Sequence, residues 1–367
     1  MPGRLNDCKF EFSRRGEMTQ KGRAYKEAGV DVQAGNTFVE QIKSIISTTH
    51  TKGVIGDIGG FGGLFRPDIS SMDEPILVSA TDGVGTKLKL CFDFQRHSSI
   101  GIDLVAMSVN DVLVQGARPL FFLDYLATGK LDIEQGKDIV RGIAEGCKMS
   151  ECALLGGETA EMPDFYAPGE YDLSGFCVGM VDHDKLIDGT SIRNGQKLIG
   201  LASSGLHSNG YTLVRKLLAQ SGLGAGDTLP GTEESVADVL LEPTRIYARP
   251  VYNLMRDIQI RGMVHITGGG FYDNIPRILY SGLSADIDFG SWDIPPVFDW
   301  LRQEGNLEWQ EMLQIFNCGI GLVLVVSPDA SDDILSRLQG MDLPAWVIGE
   351  IKKSNKTAGD EQVRINF

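Results

Sequence analysis

The run from Ile100 to Val114 constrains the fold of this chain more than any other segment. Ile102, Leu104, Val105, Met107, Val109, Val112, Leu113 and Val114 leave a helix here almost no polar face. Such a helix must be covered on all sides, which requires packed layers around it. Yet the same run carries Asp103, with Asn110 and Asp111 seven and eight residues further on. That spacing places the three on one side of the helix, two turns apart. Carboxylates in apolar surroundings are costly unless paired, hydrogen-bonded or bound to a cation. Two readings stay open at this point: the group gathers a hard cation, or one member caps a neighbouring loop.

A second segment bears on that choice. The β-rich run Ile76-Leu77-Val78 leads into Ser79-Ala80-Thr81-Asp82-Gly83-Val84-Gly85-Thr86-Lys87, which sets a carboxylate and a lysine around two glycines. We expect Asp82 and Asp111 to hold Mg²⁺ against the phosphates of a nucleotide, because all-oxygen donor sets suit hard cations. Neither a Walker A loop nor a kinase glycine loop is present, so the phosphates need another cradle.

With 367 residues, two domains are the first expectation. Strand and helix patterns alternate in both halves, giving an α/β (or α+β) class. Residues 1–24 read as a loose N-terminal extension, residues 25–184 as an N-terminal unit and 185–367 as a C-terminal one. Asn36-Thr37 reads as the N-cap of an amphipathic helix bearing Phe38, Val39, Ile42, Ile45 and Ile46. The net charge of −15 argues against a nucleic-acid partner, since phosphate backbones need a basic face. No apolar run is long enough to span a bilayer, so no membrane role is expected. The six cysteines are scattered without a C-x-x-C pair, which fits buried thiols in a reducing cytoplasm.

Glycine-rich loops at strand ends supply the other candidates. Gly156-Gly157-Glu158-Thr159 follows a buried strand, where glycines admit a ligand and Glu158 could add a metal contact. A plain turn ending that strand is the alternative. Ser203-Ser204-Gly205-Leu206-His207-Ser208-Asn209-Gly210 joins a strand to a helix, a usual place to receive an anion. His207 there reads as a substrate contact or proton carrier, or else as a structural histidine. Thr267-Gly268-Gly269-Gly270 repeats the strand–glycine–helix plan. Gly59-Gly60-Phe61-Gly62-Gly63 reads as a flap or a connector. Lys43 borders the apolar face of its helix, where a solvated flank is the ordinary role.

Taken in order, these and other motifs resemble one family. They include Tyr25-Lys26-Glu27-Ala28-Gly29-Val30-Asp31, Thr81 to Lys87, Gly101 to Met107 with Val109-Asn110-Asp111, and Gly157 to Pro163. Ser204 to Tyr211, Leu241 to Tyr247, Thr267 to Phe271 and Phe316-Asn317-Cys318-Gly319 complete the set. From about Tyr25 to the C-terminus the chain resembles the phosphoribosylformylglycinamidine cyclo-ligases, also called aminoimidazole ribonucleotide synthetases. Leu206 stands where that family often has proline.

The resemblance implies cyclisation of formylglycinamidine ribonucleotide with ATP and Mg²⁺ in purine synthesis. It also implies a homodimer whose N-terminal sheets form a shared barrel. Asp82, Asp111 and Glu158 would then be metal ligands, with Lys87, Gly60, Gly62, Asn110 and Gly157 around the nucleotide. Lys43, His207 and Asn209 would serve catalysis, while Ser203, Ser204, Thr267, Gly268 and Gly269 would bind substrate. The alternatives are an ATP-using relative of thiamine-monophosphate kinase or selenophosphate synthetase type, or a non-enzymatic nucleotide-binding protein on the same fold. The region near Lys26 lacks the reactive cysteine a selenophosphate synthetase needs, and the chain ends Arg364-Ile365-Asn366-Phe367 without a cysteine tail.

Overall fold

The structure, a computed structural model, describes residues 25–56, 59–354 and 362–367. The expected N-terminal extension, with Cys8, lies outside the described residues. In the first half come helix α1 (Val32–Ser47), strands β1 (Val54–Ile55), β2 (Leu64–Phe65) and β3 (Pro75–Gly83), and helices α2 (Lys87–Phe94) and α3 (Ile100–Leu113). Strand β4 (Arg118–Thr128), helix α4 (Ile133–Met149) and strands β5 (Ala153–Glu161) and β6 (Tyr171–Asp182) complete it. They build a four-stranded sheet in the order β3-β6-β4-β5, with β4 and β5 parallel and the other pairs antiparallel.

The second half contains β7 (Lys197–Ala202), α5 (Tyr211–Ser221), α6 (Val236–Leu240), α7 (Ala248–Leu254), β8 (Gly262–His265), α8 (Gly270–Asn274) and β9 (Leu283–Asp288). After these come α9 (Pro296–Gly305), α10 (Trp309–Ile315), β10 (Ile320–Val326), α11 (Ser331–Gln339), β11 (Ala345–Lys353) and β12 (Val363–Asn366). Its six-stranded sheet runs β12-β9-β11-β7-β10-β8 and is antiparallel except for β12 on β9. Every residue of β10 is buried, as expected of an inner strand covered on both faces.

Helix α3 lies where its composition requires, between the four-stranded sheet and α4. Gly101 permits the approach of α4: a Cβ there would sit 2.2 Å from the Ile143 nitrogen and 2.5 Å from the Ile139 oxygen. Gly142 returns the contact, its own Cβ position lying 2.4 Å from the Ser98 oxygen. The helices meet backbone to backbone, an arrangement only glycine allows.

Several expected boundaries move for local reasons. Helix α1 begins at Val32 because the Asp31 side chain accepts hydrogen bonds from the Gln33 and Ala34 amides, both at 3.1 Å. Asn36 and Thr37 therefore sit inside the helix instead of capping it. Strand β5 continues to Glu161, so Gly156 to Glu158 extend the strand and do not form a terminating turn. Helix α7 begins only at Ala248, since Thr244 to Tyr247 are tied to α3. Helix α8 is short and is followed by a 3-10 turn containing Pro276.

Candidate active site

Helix α3 presents Asp103, Asn110 and Asp111 to the second half of the chain, each with a different partner. Asp103 is fully buried and accepts from the Thr244 amide at 2.8 Å and the Thr244 hydroxyl at 2.6 Å. Lys87 Nζ lies 2.9 Å from both of its carboxylate oxygens. Asn110 donates to the Arg245 carbonyl at 2.9 Å and accepts from the Tyr247 amide at 3.1 Å. The loop-holding alternative therefore describes Asp103 and Asn110. Asn110 is fully buried and committed to that loop, which corrects its expected place on the nucleotide.

Asp111 differs from its neighbours. Its side chain is half exposed, and His265 Nδ1, at the end of β8, meets its Oδ1 at 2.9 Å. Asp82, at the end of β3, lies near enough that the Asp111 charge raises its pKa. Burial is the larger cause of that upward shift, while the Gly83 amide, donating at 2.7 Å, and the His265 charge oppose it. A half-buried carboxylate with a second carboxylate beside it suits a cation held between them. His265 was not among the candidates chosen from sequence. Its position just before the Thr267–Gly270 loop was the available signal.

Glu158 does not complete this pair. Across the four-stranded sheet Asp82 is opposite Gly175, Gly175 opposite Asp124, and Asp124 opposite Gly157. Three strand spacings amount to about 14 Å, too far for Glu158 to share an ion with Asp82 in one chain. Among the described residues no group of three or more metal-binding side chains assembles. Gly157 and Glu158 instead line a separate cavity of about 340 Å³ between α1 and the sheet.

Asp124 faces that same cavity. Burial pushes its carboxyl up to about 7, and a Cβ on Gly157 would lie 2.3 Å from its Oδ1. The glycine makes room for the carboxylate. Asp124 was overlooked in the sequence, although a lone acid in Phe121-Phe122-Leu123-Asp124-Tyr125 was visible. A larger cavity of about 1230 Å³, which includes Arg66, Arg118 and Arg256, contains none of the candidate residues.

The lysines depart from expectation. Lys87 is fully buried, and its ammonium reaches Asp103, the His207 carbonyl at 3.0 Å and the Glu242 carbonyl at 2.7 Å. An ammonium has three donors. All are engaged, so the expected contact with a phosphoryl group is not available to it. Lys43 pairs with Glu40 at 2.5 Å on the outer part of α1. Gly60 and Gly62 sit in the β1–β2 connection, with no packed neighbour around Gly62.

In the 203–210 turn, His207 is 1% exposed and adopts φ +61. Its Nε2 accepts from the Ser204 amide at 3.3 Å, which places the ring proton on Nδ1, a buried atom with no partner. Burial first, then the His265, Lys87 and Arg245 charges, hold its pKa well below the ordinary histidine value. In this arrangement His207 is neutral and held within the turn, the structural one of the two readings its sequence position allows. Ser203 donates to Asn317 Oδ1 at 3.1 Å and Ser204 to the Pro243 carbonyl at 2.5 Å, so both hydroxyls point inward. Neither is free to seat a phosphate.

Asn209 is only half buried, and its Oδ1 lies 3.4 Å from where a Cβ on Gly268 would stand. The two glycine loops therefore meet. Gly269 and Gly270 have φ of +88 and +57, and a Cβ on Gly270 would be 2.0 Å from the Leu313 oxygen. Fold geometry accounts for those two glycines; Gly268 is exposed, while the half-buried Thr267 donates its hydroxyl to Asn274 Oδ1 at 3.3 Å.

A two-domain α/β fold with a pair of carboxylates where its halves meet defines a recognisable class. Residues 68–181 match the family described as AIR synthase related protein, N-terminal domain, and residues 193–360 match its C-terminal domain. Solved structures share the fold. The thiamine-monophosphate kinase of Stenotrophomonas maltophilia has a TM-score of 0.63 at 18% identity, covering 90% of this chain and 95% of that one. The hydrogenase maturation protein HypE in complex with ATP has a TM-score of 0.63 at 16% identity, covering 89% and 90%.

Curated relatives narrow the class. The phosphoribosylformylglycinamidine cyclo-ligase of Oleidesulfovibrio alaskensis is 64% identical over 95% of this chain and 99% of its own length. That of Nitratidesulfovibrio vulgaris is 63% identical over the same shares. The chain belongs to the phosphoribosylformylglycinamidine cyclo-ligases, enzymes of purine biosynthesis that form a C–N bond.

Proposed function

We propose that the cyclisation uses ATP and Mg²⁺, converting formylglycinamidine ribonucleotide to aminoimidazole ribonucleotide with release of ADP and phosphate. The observation that supports this most strongly is the pairing of Asp82 with Asp111, the latter oriented by His265. Oxygen donors of this kind suit a hard cation, and a hydrogen bond from a neighbouring group fixes the orientation of such a ligand. When bound, Mg²⁺ would neutralise charge on the nucleotide phosphates. Transfer of the γ-phosphoryl group to the formyl oxygen turns a poor leaving group into a good one. A nitrogen of the amidine then attacks that carbon, and phosphate departs as the ring closes.

The protein's own contribution is mostly placement. Asn209 and the Thr267–Gly268 backbone offer hydrogen-bonding groups to the ribonucleotide where the two loops meet. The cavity along Gly157, Glu158 and Asp124 is a second polar recess for the nucleotide. Lys43, on the same helix as several residues of that cavity wall, is assigned to the phosphates once released from Glu40. The unpacked Gly59–Gly62 tip is suited to covering the nucleotide.

A homodimer with a barrel shared between N-terminal sheets is supported by the uncovered apolar side of that sheet, where Leu77 is 66% and Phe176 45% exposed. The domain boundary near residue 184 is supported by the change of sheet between β6 and β7. Buried free thiols at the five described cysteines fit a cytoplasmic enzyme. Replacing Asp82 by Asn tests the assignment. Loss of phosphate release that depends on formylglycinamidine ribonucleotide supports it, and unchanged release rejects it.

A further inference from the structure

We propose that Lys87 is a positioning residue, fixing the 203–210 turn of the C-terminal half against the Asp82 turn of the N-terminal half. Its ammonium is fully buried and has one carboxylate and two carbonyls as partners, Asp103 from α3 and His207 and Glu242 from the second half. The Tyr211 ring lies 5.5 Å from Nζ and closes the remaining side.

Two further bonds flank it. The Ser208 hydroxyl donates to the Val84 carbonyl at 2.8 Å, and Thr86 Oγ1 and Thr212 Oγ1 are 3.1 Å apart. Val84, Thr86 and Lys87 thus each hold a residue of the 207–212 stretch. Asp103 extends the lock to Thr244, on the segment that Asn110 also grips.

Stability alone does not call for this chemistry. A buried ion pair contributes little net stability, and a neutral pair of similar shape commonly serves as well. What an apolar residue cannot do is donate to the His207 and Glu242 carbonyls. Those bonds set where Asn209 stands relative to Asp82. This inference rests on the 203–210 turn belonging to the reaction site.

The test compares Lys87→Met, Lys87→Met/Asp103→Asn and Ser208→Ala with wild type in the full-length protein. Thermal midpoint, kcat and the KM for ATP are measured in one assay. Lys87→Met leaves Asp103 unpaired and lowers the midpoint. The double variant removes that charge while the new amide keeps an acceptor for Thr244, and it regains most of the lost midpoint. We expect kcat to stay down on the order of 100-fold in the double variant, with the KM for ATP unchanged, as misplacement of reacting groups costs.

Ser208→Ala, which leaves the ion pair intact, lowers kcat in the same sense by about tenfold, the loss of one neutral hydrogen bond. Recovery of wild-type kcat together with the midpoint in the double variant would overturn the proposal. So would a rise in the KM for ATP with kcat intact, the mark of a phosphate contact. A wild-type protein without turnover would instead reject the assigned reaction.

Discussion

His265 Nδ1 and Asp111 Oδ1 stand 2.9 Å apart, joining the end of β8 in the C-terminal sheet to the end of α3 in the N-terminal layer. The histidine side chain is 2% exposed while the carboxylate is 45% exposed. A buried imidazole therefore aims a carboxylate that solvent and ligands can reach. Replacing His265 by Ala frees Asp111 to rotate. The Mg²⁺ concentration for half-maximal activity should rise about 10–100-fold, the usual cost of losing a group that orients a metal ligand. A Mg²⁺ titration of initial rate measures this, and an unchanged midpoint would detach His265 from the cation site.

Asp124 gives a pH dependence of known sign. Its folded pKa, about 7, lies above its unfolded value of roughly 4. The stability it contributes is full below pH ~4 and is lost as pH rises towards 7, where the buried carboxyl must ionise. Asp124→Asn removes that loss. Thermal midpoints of the variant should pull ahead of wild type as pH rises from roughly 4 to about 7, the window these two pKa values define. A constant difference across that range would show an ordinary carboxyl at this position.

Gly101 and Gly62 provide a matched pair of substitutions. Gly101→Ala drives a methyl into the α4 backbone, which cannot move aside, and should cost about 3 kcal/mol or more. Gly62→Ala meets nothing within 4 Å and should stay within about 0.5 kcal/mol of wild type. Denaturant midpoints of the two variants check both values. If both are equally tolerated, the close crossing of α3 and α4 is wrong.

The parts of this fold legible in the sequence are those written in periodicity. Helix α3 was readable because its apolar residues leave no polar face, and most strands of both sheets were readable as short apolar runs. Elements set by tertiary ties were not. The segment Thr244 to Tyr247 looks helical, yet it is held out of a helix by Asp103 and Asn110, more than 130 residues away in sequence. At the site, the closeness of Asp82 to Asp111 was legible from carboxylates near an apolar helix, and their hold on a cation is a proposal.

The departures from the sequence reading share one cause. Lys87, His207, Ser203 and Ser204 are the residue types that bind phosphates and move protons, and sequence does not show which way such side chains point. Here they point inward, as the internal framework of two turns. His265 and Asp124 were missed for the converse reason: their roles come from spatial neighbours, Asp111 for the one and Gly157 for the other, that local spacing does not reveal.

The proposed chemistry is tested most directly by following one oxygen atom. Formylglycinamidine ribonucleotide labelled with ¹⁸O in its formyl group is converted by the wild-type enzyme with Mg-ATP, and the released phosphate is analysed by mass. Activation of the formyl oxygen by phosphoryl transfer predicts phosphate carrying the label, in one-to-one amount with aminoimidazole ribonucleotide. Label recovered in water, with unlabelled phosphate, would contradict it.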